Sequence, residues 1–240
     1  MALHDQLLAT PGWPAKQVAP DSMPDSMPAS SPEGPPAVEH PVWQWVAANH
    51  RFNSLLWAEE DLARRTTVAA EAIAANKRAI DGYNQARNDA TERLDELLLT
   101  ALGLVDAASA RTDAPQATVQ AGARLNSETA GSMVDRLSIM ALKAHAMQMQ
   151  AARSDVDDTH RSASQGRLQR LQQQRADLAG CFDALLADAA AGRAYFKVYR
   201  QFKMYNDARF NPALVAEQRE SLLVEQREQV DADAKQPRAK

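Results

Sequence analysis

Apolar residues recur every three or four positions through most of residues 41–192, in stretches that proline rarely interrupts. Because an α-helix has about 3.6 residues per turn, this spacing lines one helical face with side chains that pack against a core. The chain is also rich in alanine, leucine, glutamine, arginine and glutamate, and these residues favour helices over strands. The sequence therefore predicts an all-α protein, a helical bundle of four to five long helices.

The apolar pattern places the individual helices of the predicted bundle. The first two helices are predicted at residues 41–65 and 67–104, and residues 105–126, which lose the pattern, are predicted to form a loop. A third helix is predicted to begin with Ser132 as its N-cap and Asp135 as the capping-box partner. The fourth follows the polar stretch 153–165 and ends at Gly192, since glycine commonly terminates helices.

Composition divides the chain into three regions. Residues 1–40 hold eight of the 12 prolines, and a segment of this composition buries too little apolar surface to offset the entropy of ordering. We therefore expect a disordered arm rich in proline and serine over residues 1–40. A single helical domain is predicted at 41–212, and the charged residues 213–240 are expected to form a helix that frays into a tail.

Charge and cysteine content restrict the function. The formal net charge of -4 provides no global basic field, so we expect no nucleic-acid partner. No apolar run approaches the roughly 20 residues of a membrane-spanning helix. The one cysteine, Cys181, has apolar neighbours at helical spacing, which predicts a buried thiol, a reducing compartment and a cytoplasmic location.

The second predicted helix carries an unusual polar stripe. Its members recur with helical period and lie within about 60° of one another around the axis: Lys77, Asp81, Asn84, Asn88, Glu92 and Asp95. Solvated helix faces usually carry Lys, Glu and Gln, whereas Asp and Asn lower helix propensity. Arg87 lies within the apolar stripe of the same helix, where its guanidinium would need an anionic partner. A functional or buried polar face and an ordinary solvated face both remain open.

Acidic residues on the first two helices suggest a metal site. If these helices pack antiparallel, Glu59 and Glu60 approach Glu92 and Asp95, and an all-oxygen set of this kind suits Mg²⁺ or Mn²⁺. The arrangement looks like the paired acidic helices of the all-α nucleotide pyrophosphohydrolases, which carry E-x-x-E followed by E-x-x-D. Here the first half is Glu-Glu-Asp at residues 59–61 and lacks the E-x-x-E spacing.

The start of the third predicted helix suggests a phosphate site. Small residues precede Ser132, and free backbone N–H groups at a helix start can hold an anion. Arg136 and Lys143 follow one heptad apart and can neutralise a phosphate, with Arg87 and Asn88 as further candidate ligands. Helix capping and internal salt bridges explain the same residues equally well.

Several segments of residues 45–212 resemble one bacterial family, the domain of unknown function numbered 4254. The resemblance rests on Asn53-x-x-x-Trp57-x-Glu59-Glu60-Asp61, on the polar run from Lys77 to Asp95, on Ser127-Glu128-Thr129 through Ile139 with Lys143 and His145, and on residues 201–207 with Asn211-Pro212. Ala130 stands where the family pattern leads us to expect proline. The resemblance implies no established activity, but it implies a link to surface polysaccharides and hence to a nucleotide or sugar-phosphate ligand.

Two functional hypotheses follow from these observations. In the first, the chain is a metal-dependent phosphohydrolase or related enzyme, in which the predicted carboxylates hold the metal and the metal activates water. In the second, it is a non-catalytic helical scaffold that docks other proteins or a second copy of itself, and the polar stripe is an internal network. The sequence identifies no catalytic residue, and both hypotheses stay open.

Overall fold

The computed structural model describes residues 1–14, 41–202 and 207–235, with side chains up to residue 226. These residues form seven helices and one pair of very short strands, which confirms the all-α prediction. The helices are α1 (Ala2–Ala9), α2 (Pro41–Ala63), α3 (Ala70–Ala101), α4 (Ala107–Ala110), α5 (Ala130–Ala151), α6 (Asp158–Ala190) and α7 (Pro212–Lys235). The strands are β1 (Arg124–Leu125) and β2 (Ala194–Tyr195).

Two antiparallel helix pairs make up the bundle. A short connection joins α2 to α3, and side chains pair the end of α2 with the start of α3, where Asn76 donates to Glu59 at 2.6 Å. Further along, Asn49 of α2 donates to Thr91 of α3 at 3.2 Å, as antiparallel packing requires. The second pair is α5 with α6, and α5 also packs against both α2 and α3. Helix α5 is therefore the central helix of the bundle.

The largest apolar cluster lies where α3, α5 and α6 meet the segment after α6. Leu99, Met133, Leu137, Leu185 and Phe196 are all buried in it, and Phe196 is fully enclosed. β1 and β2 pair in parallel beside this cluster, with Arg124 opposite Ala194. The predicted loop 105–126 thus contains the short helix α4 and ends in a strand, because its backbone pairs with a distant segment.

Helices α3 and α5 approach very closely at Gly131. A Cβ atom at this position would overlap the backbone carbonyl oxygen of Thr91 and would lie 3.0 Å from Cγ of Asp95. The Gly131 N–H donates to Asp95 at 2.6 Å. The start of α5 is therefore held directly against α3, and only glycine fits there.

The first residues of the chain do not belong to a disordered arm, contrary to the prediction for residues 1–40. Residues 2–9 form α1, in which Leu7 is fully buried and His4 is 3% exposed. The composition of residues 1–40 as a whole concealed a short segment with apolar residues at positions 3, 7 and 8 that packs onto the bundle. The rest of the predicted arm, residues 15–40, lies outside the described residues.

Helix α7 belongs to a second compact unit. The first unit spans Met1–Tyr199 and the second begins at Arg200, so the boundary precedes the predicted one at residue 212. Helix α7 exposes Leu222, Leu223 and Val224. Within the described ranges, every helix is too short or too polar to cross a membrane.

Candidate functional site

A buried polar network joins α2 to α5. Asn49 and Asn53, one turn apart on α2, both donate to Oδ1 of Asp135 on α5, at 2.9 and 2.8 Å. The Asn53 amide also lies 3.0 Å from Oγ of Ser138, and that hydroxyl is 2.8 Å from Nδ1 of His50. Asn49, His50 and Ser138 are fully buried. Because each group satisfies another in a dry interior, the network fixes how α2 and α5 pack.

The sequence predicted no site role for this network. Its signal is the pair Asn49 and Asn53 at i, i+4 on an otherwise apolar face, where an amide needs a buried partner. Asp135 was predicted to be a capping-box partner of Ser132, and this prediction is wrong. The N-cap of α5 is Thr129, whose hydroxyl accepts from the Ser132 N–H at 3.1 Å, so the helix starts earlier and Asp135 turns toward α2.

The N-terminal segment brings two aromatic rings onto His50. The His4 ring centroid lies 4.7 Å from that of His50, and the Trp13 ring stacks at 5.7 Å with 19° between the ring planes. Trp13 Nε1 donates to Oγ of Ser54 at 3.1 Å. Burial lowers the pKa of His4 to about 2 and the pKa of His50 to about 4. Both imidazoles are therefore neutral near pH 7.

A buried guanidinium on α6 holds the same N-terminal segment. Arg175 is 8% exposed, and its Nη1 donates to the Asp5 carboxylate at 2.7 Å while Nη2 donates to the Met1 carbonyl at 3.1 Å. The positive charge of Arg175 contributes to the lowered pKa of His50. This contact leaves polar atoms without hydrogen bonds, namely both ring nitrogens of His4, Nε2 of His50 and Nε of Arg175.

The four predicted metal ligands do not form one group. Glu59 accepts from Asn76 at the connected end of the α2–α3 pair, and Glu60 pairs at 2.9 Å with exposed Arg64 just after α2. Glu92 is half-buried on α3. In the part of the chain that the structure describes, no three His, Cys, Asp or Glu side chains lie close enough to hold a metal ion.

Asp95 is directed toward the start of α5. It is 3% exposed and accepts from the Gly131 N–H at 2.6 Å and from the Thr129 hydroxyl. Burial raises the pKa of Asp95 to about 7, and these two hydrogen bonds oppose that rise. Asp95 therefore binds the positive end of α5 within the protein, a structural role that its position in the polar stripe did not reveal.

The predicted phosphate ligands on α3 and at the start of α5 line neither of the two main cavities. Arg87 is half-buried, donates to Asn88 at 3.2 Å and leaves Nε unpaired, and the predicted anionic partner is absent among the described residues. Ser132 shares a 2.9 Å hydrogen bond with Thr129. The polar stripe is thus exposed at Lys77, half-buried in its middle and buried at Asp95.

The two other predicted phosphate ligands lie along the contact between α5 and α6. Lys143 lines a cavity of about 320 Å³ together with Arg167 and Arg170 of α6 and Trp57 of α2. Ala146, Met147 and Leu171 also line it. We call this cavity the cationic groove. No carboxylate within the described ranges forms an ion pair with any of its three cations.

A larger cavity of about 860 Å³ adjoins the cationic groove and shares Gln174 with it. Arg136 lines this cavity but forms an ion pair with Glu128, which also lines it. Cys181 lies in the same cavity and is exposed, so the prediction of a buried thiol is wrong. On helix α6, the Cys181 side chain faces the larger cavity, while Leu178 and Leu185 belong to the hydrophobic core.

One comparison with known proteins identifies a family, and none of them indicates an activity. The profile of the family described as "Protein of unknown function (DUF4254)" matches residues 43–198, which include both helix pairs, the polar network and both cavities but exclude α1. A search of curated proteins and a search of solved structures found no significant match. The match covers well over half of the chain, and the chain belongs to this family of proteins of unknown function.

Proposed function

We propose that the chain binds a phosphate-bearing small molecule, a nucleotide or a sugar phosphate, in the cationic groove. The observation that carries this proposal is that Lys143, Arg167 and Arg170 all line one cavity, and that no carboxylate among the described residues forms an ion pair with any of them. A guanidinium presents a planar fork of donors that matches two phosphate oxygens, and lysine adds a point charge. Three such groups suit a phosphate or diphosphate better than a single carboxylate.

The charge of the whole chain makes this cluster more informative. The formal net charge is -4, and several exposed arginines pair with a nearby Asp or Glu, as Arg64, Arg153 and Arg193 do. Three unpaired cations within one groove therefore produce a local positive potential on an acidic protein. Such a potential attracts anionic ligands and raises their local concentration.

Trp57 supplies an apolar surface beside the cations. Its side chain is 37% exposed at the edge of the groove. Aromatic rings stack on nucleobases and on the apolar faces of sugars, and loss of a stacking ring weakens binding of a base by about 1–3 kcal/mol. The cavity of about 320 Å³ accommodates a phosphate with part of its substituent, and the adjoining cavity leaves room for the rest.

The proposal concerns binding, without a hydrolytic step. The carboxylates predicted to hold Mg²⁺ or Mn²⁺ do not converge in the described residues, so the geometry supports no metal-assisted attack on the phosphate. In the polar network of α2 and α5, Asn49, His50 and Ser138 are fully buried, Asp135 is half-buried, and the groups bond mainly to one another, which suits a structural role.

Removal of the three cations should abolish the proposed binding. In K143Q/R167Q/R170Q, we expect the affinity for uridine diphosphate or glucose 1-phosphate to fall at least 100-fold, since each charge-assisted hydrogen bond contributes about 1.5–3 kcal/mol. Isothermal titration calorimetry with each compound measures this change. The matched control R64Q/R153Q/R193Q removes the same charge from paired surface sites and should bind as the wild type does.

The W57A variant tests whether Trp57 contacts the part of the ligand beyond its phosphates. W57A should weaken binding of uridine diphosphate by about tenfold through the lost stacking, and it should leave inorganic pyrophosphate unaffected. Equal binding by the wild type and the triple variant, or no binding of any of the three compounds to the wild type, would contradict the proposal.

A further inference from the structure

The segment Met1–Pro14 covers part of the domain that the family profile defines. The profile begins at residue 43, whereas α1 and Trp13 precede it and pack on α2, α5 and α6. Leu7 is fully buried in this contact, and Leu3 packs near Val46 and Val134. The first 14 residues thus lie outside the matched region and pack onto its surface.

The polar part of this contact is centred on the guanidinium of Arg175. Its carboxylate partner comes from the segment and not from the region that the family profile matches. Arg175 forms its only ion pair among the described residues with Asp5 of the segment, whose side chain is 56% exposed. The side chain of Arg175 is only 10% exposed. When the segment leaves, this guanidinium loses its anion and its cover together, so an anion that binds there regains the charge-assisted hydrogen bonds that Asp5 made.

The contact satisfies the neighbouring polar groups poorly. Nε2 of His50 and Nε of Arg175 are buried and have no hydrogen-bond partner, and neither ring nitrogen of His4 has one. Each such group makes the closed contact less stable than a fully hydrogen-bonded one would be. Four of the five unpartnered buried side-chain atoms in the described residues therefore lie at this one contact, and the fifth belongs to Arg87.

We propose that Arg175 and His50 form a second ligand site, for a small molecule bearing a carboxylate or phosphate, and that the segment Met1–Pro14 closes it. Asp5 and the Met1 carbonyl occupy the donors of Arg175 that the ligand anion would take. The Trp13 ring stacks on His50, and its N–H donates to the Ser54 hydroxyl, so the segment covers the His50 ring. A ligand with several oxygens can satisfy Arg175 together with the unpartnered Nε2 of His50, which the segment leaves unsatisfied.

Competition between the segment and the ligand makes a direct test possible. The experiment uses full-length protein carrying K143Q/R167Q/R170Q, so that the cationic groove does not contribute and the result is independent of the function proposed above. In this background, D5A removes the competing carboxylate. We expect D5A to bind inorganic phosphate or acetate about tenfold more tightly than its parent, since the apparent affinity rises with the fraction of open site.

Two further measurements decide the outcome. Addition of R175Q to D5A should abolish binding, and R175K, which keeps the charge but loses the fork, should weaken it about tenfold. Hydrogen exchange of the amides of residues 2–9 in D5A should become faster when the anion is added, because the ligand displaces the segment. Binding of phosphate alone or acetate alone supports the site and defines its class. Failure of D5A to bind either anion, or binding that survives R175Q, overturns the proposal.

Discussion

Substitution of Gly131 by alanine should lower the free energy of unfolding by about 3 kcal/mol, because the added methyl group meets backbone and not a movable side chain. The new Cβ would overlap the carbonyl oxygen of Thr91, so α3 and α5 must separate. Separation also weakens the 2.6 Å hydrogen bond from the Gly131 N–H to Asp95. Urea unfolding followed by circular dichroism measures the loss.

Gly180 provides the matched control. It lies within α6, where an added Cβ would meet nothing within 4 Å. G180A should therefore stabilise the protein by about 0.5–1 kcal/mol through the gain in helix propensity. If G131A unfolds at the same urea concentration as G180A, the close packing of α3 on α5 described here is incorrect.

Acid should release the N-terminal segment. The ordinary pKa of histidine is about 6.5, and in the closed state it falls to about 4 for His50 and about 2 for His4. The open state therefore binds more protons than the closed state below pH 6.5. The stability of the closed state is fully present above pH 6.5 and is lost as the pH falls from 6.5 toward 4. The positive charges that act on these rings are Arg175, which lowers the pKa of both, and the N-terminal ammonium, which lowers the pKa of His4.

The expected loss at pH 5 relative to pH 7 is about 2 kcal/mol for each histidine that becomes exposed on opening. Hydrogen exchange of the amides of residues 2–9, corrected for the pH dependence of the intrinsic rate, measures the free energy of opening. The H4F variant lacks one of the two histidines, so its free energy of opening should fall between pH 7 and pH 5 by about half as much as that of the wild type. H145Q removes an exposed histidine of α5 and should behave as the wild type does.

Global unfolding is a poorer measure of the same effect. The pKa of Asp95 is raised to about 7, so the folded state binds a proton more readily at this carboxyl than the unfolded state does. Its contribution to stability therefore grows as the pH falls from about 7 toward 4, which opposes the contribution of the two histidines. Local exchange of α1 avoids this compensation because Asp95 lies between α3 and α5. Equal acid dependence of H4F and the wild type would exclude the histidine mechanism.

Local pattern was sufficient to predict most of the fold. The helices at residues 41–65 and 67–104 were predicted within a few residues of α2 and α3, because periodic apolar positions and helix breakers act over short stretches of chain. The start of the third predicted helix, α5, was misplaced by three residues. Thr129 and Ser132 can both cap a helix, and the choice between them depends on Asp95, which is distant in sequence. The sequence around β1 and β2 did not predict strands, because strands of two residues are defined only by their pairing with each other.

The candidate sites were less predictable for the same reason. Lys143 was predicted to bind phosphate, but its partners Arg167, Arg170 and Trp57 come from two other helices. Asp95 belongs to a periodic polar stripe, yet its carboxylate serves the start of α5. Helical periodicity indicates which residues share a face of the helix, but it does not indicate which other helix or segment that face contacts.

The sequence by itself determined that this chain is helical, where its long helices run and which family it resembles. Tertiary structure alone decided that the predicted metal ligands stay apart, that three cations meet in one groove and that residues 1–14 pack onto the bundle. Helix formation depends on neighbours within one or two turns, so sequence encodes it directly. A binding site depends on side chains from separate helices, and their distances are fixed only when the core packs.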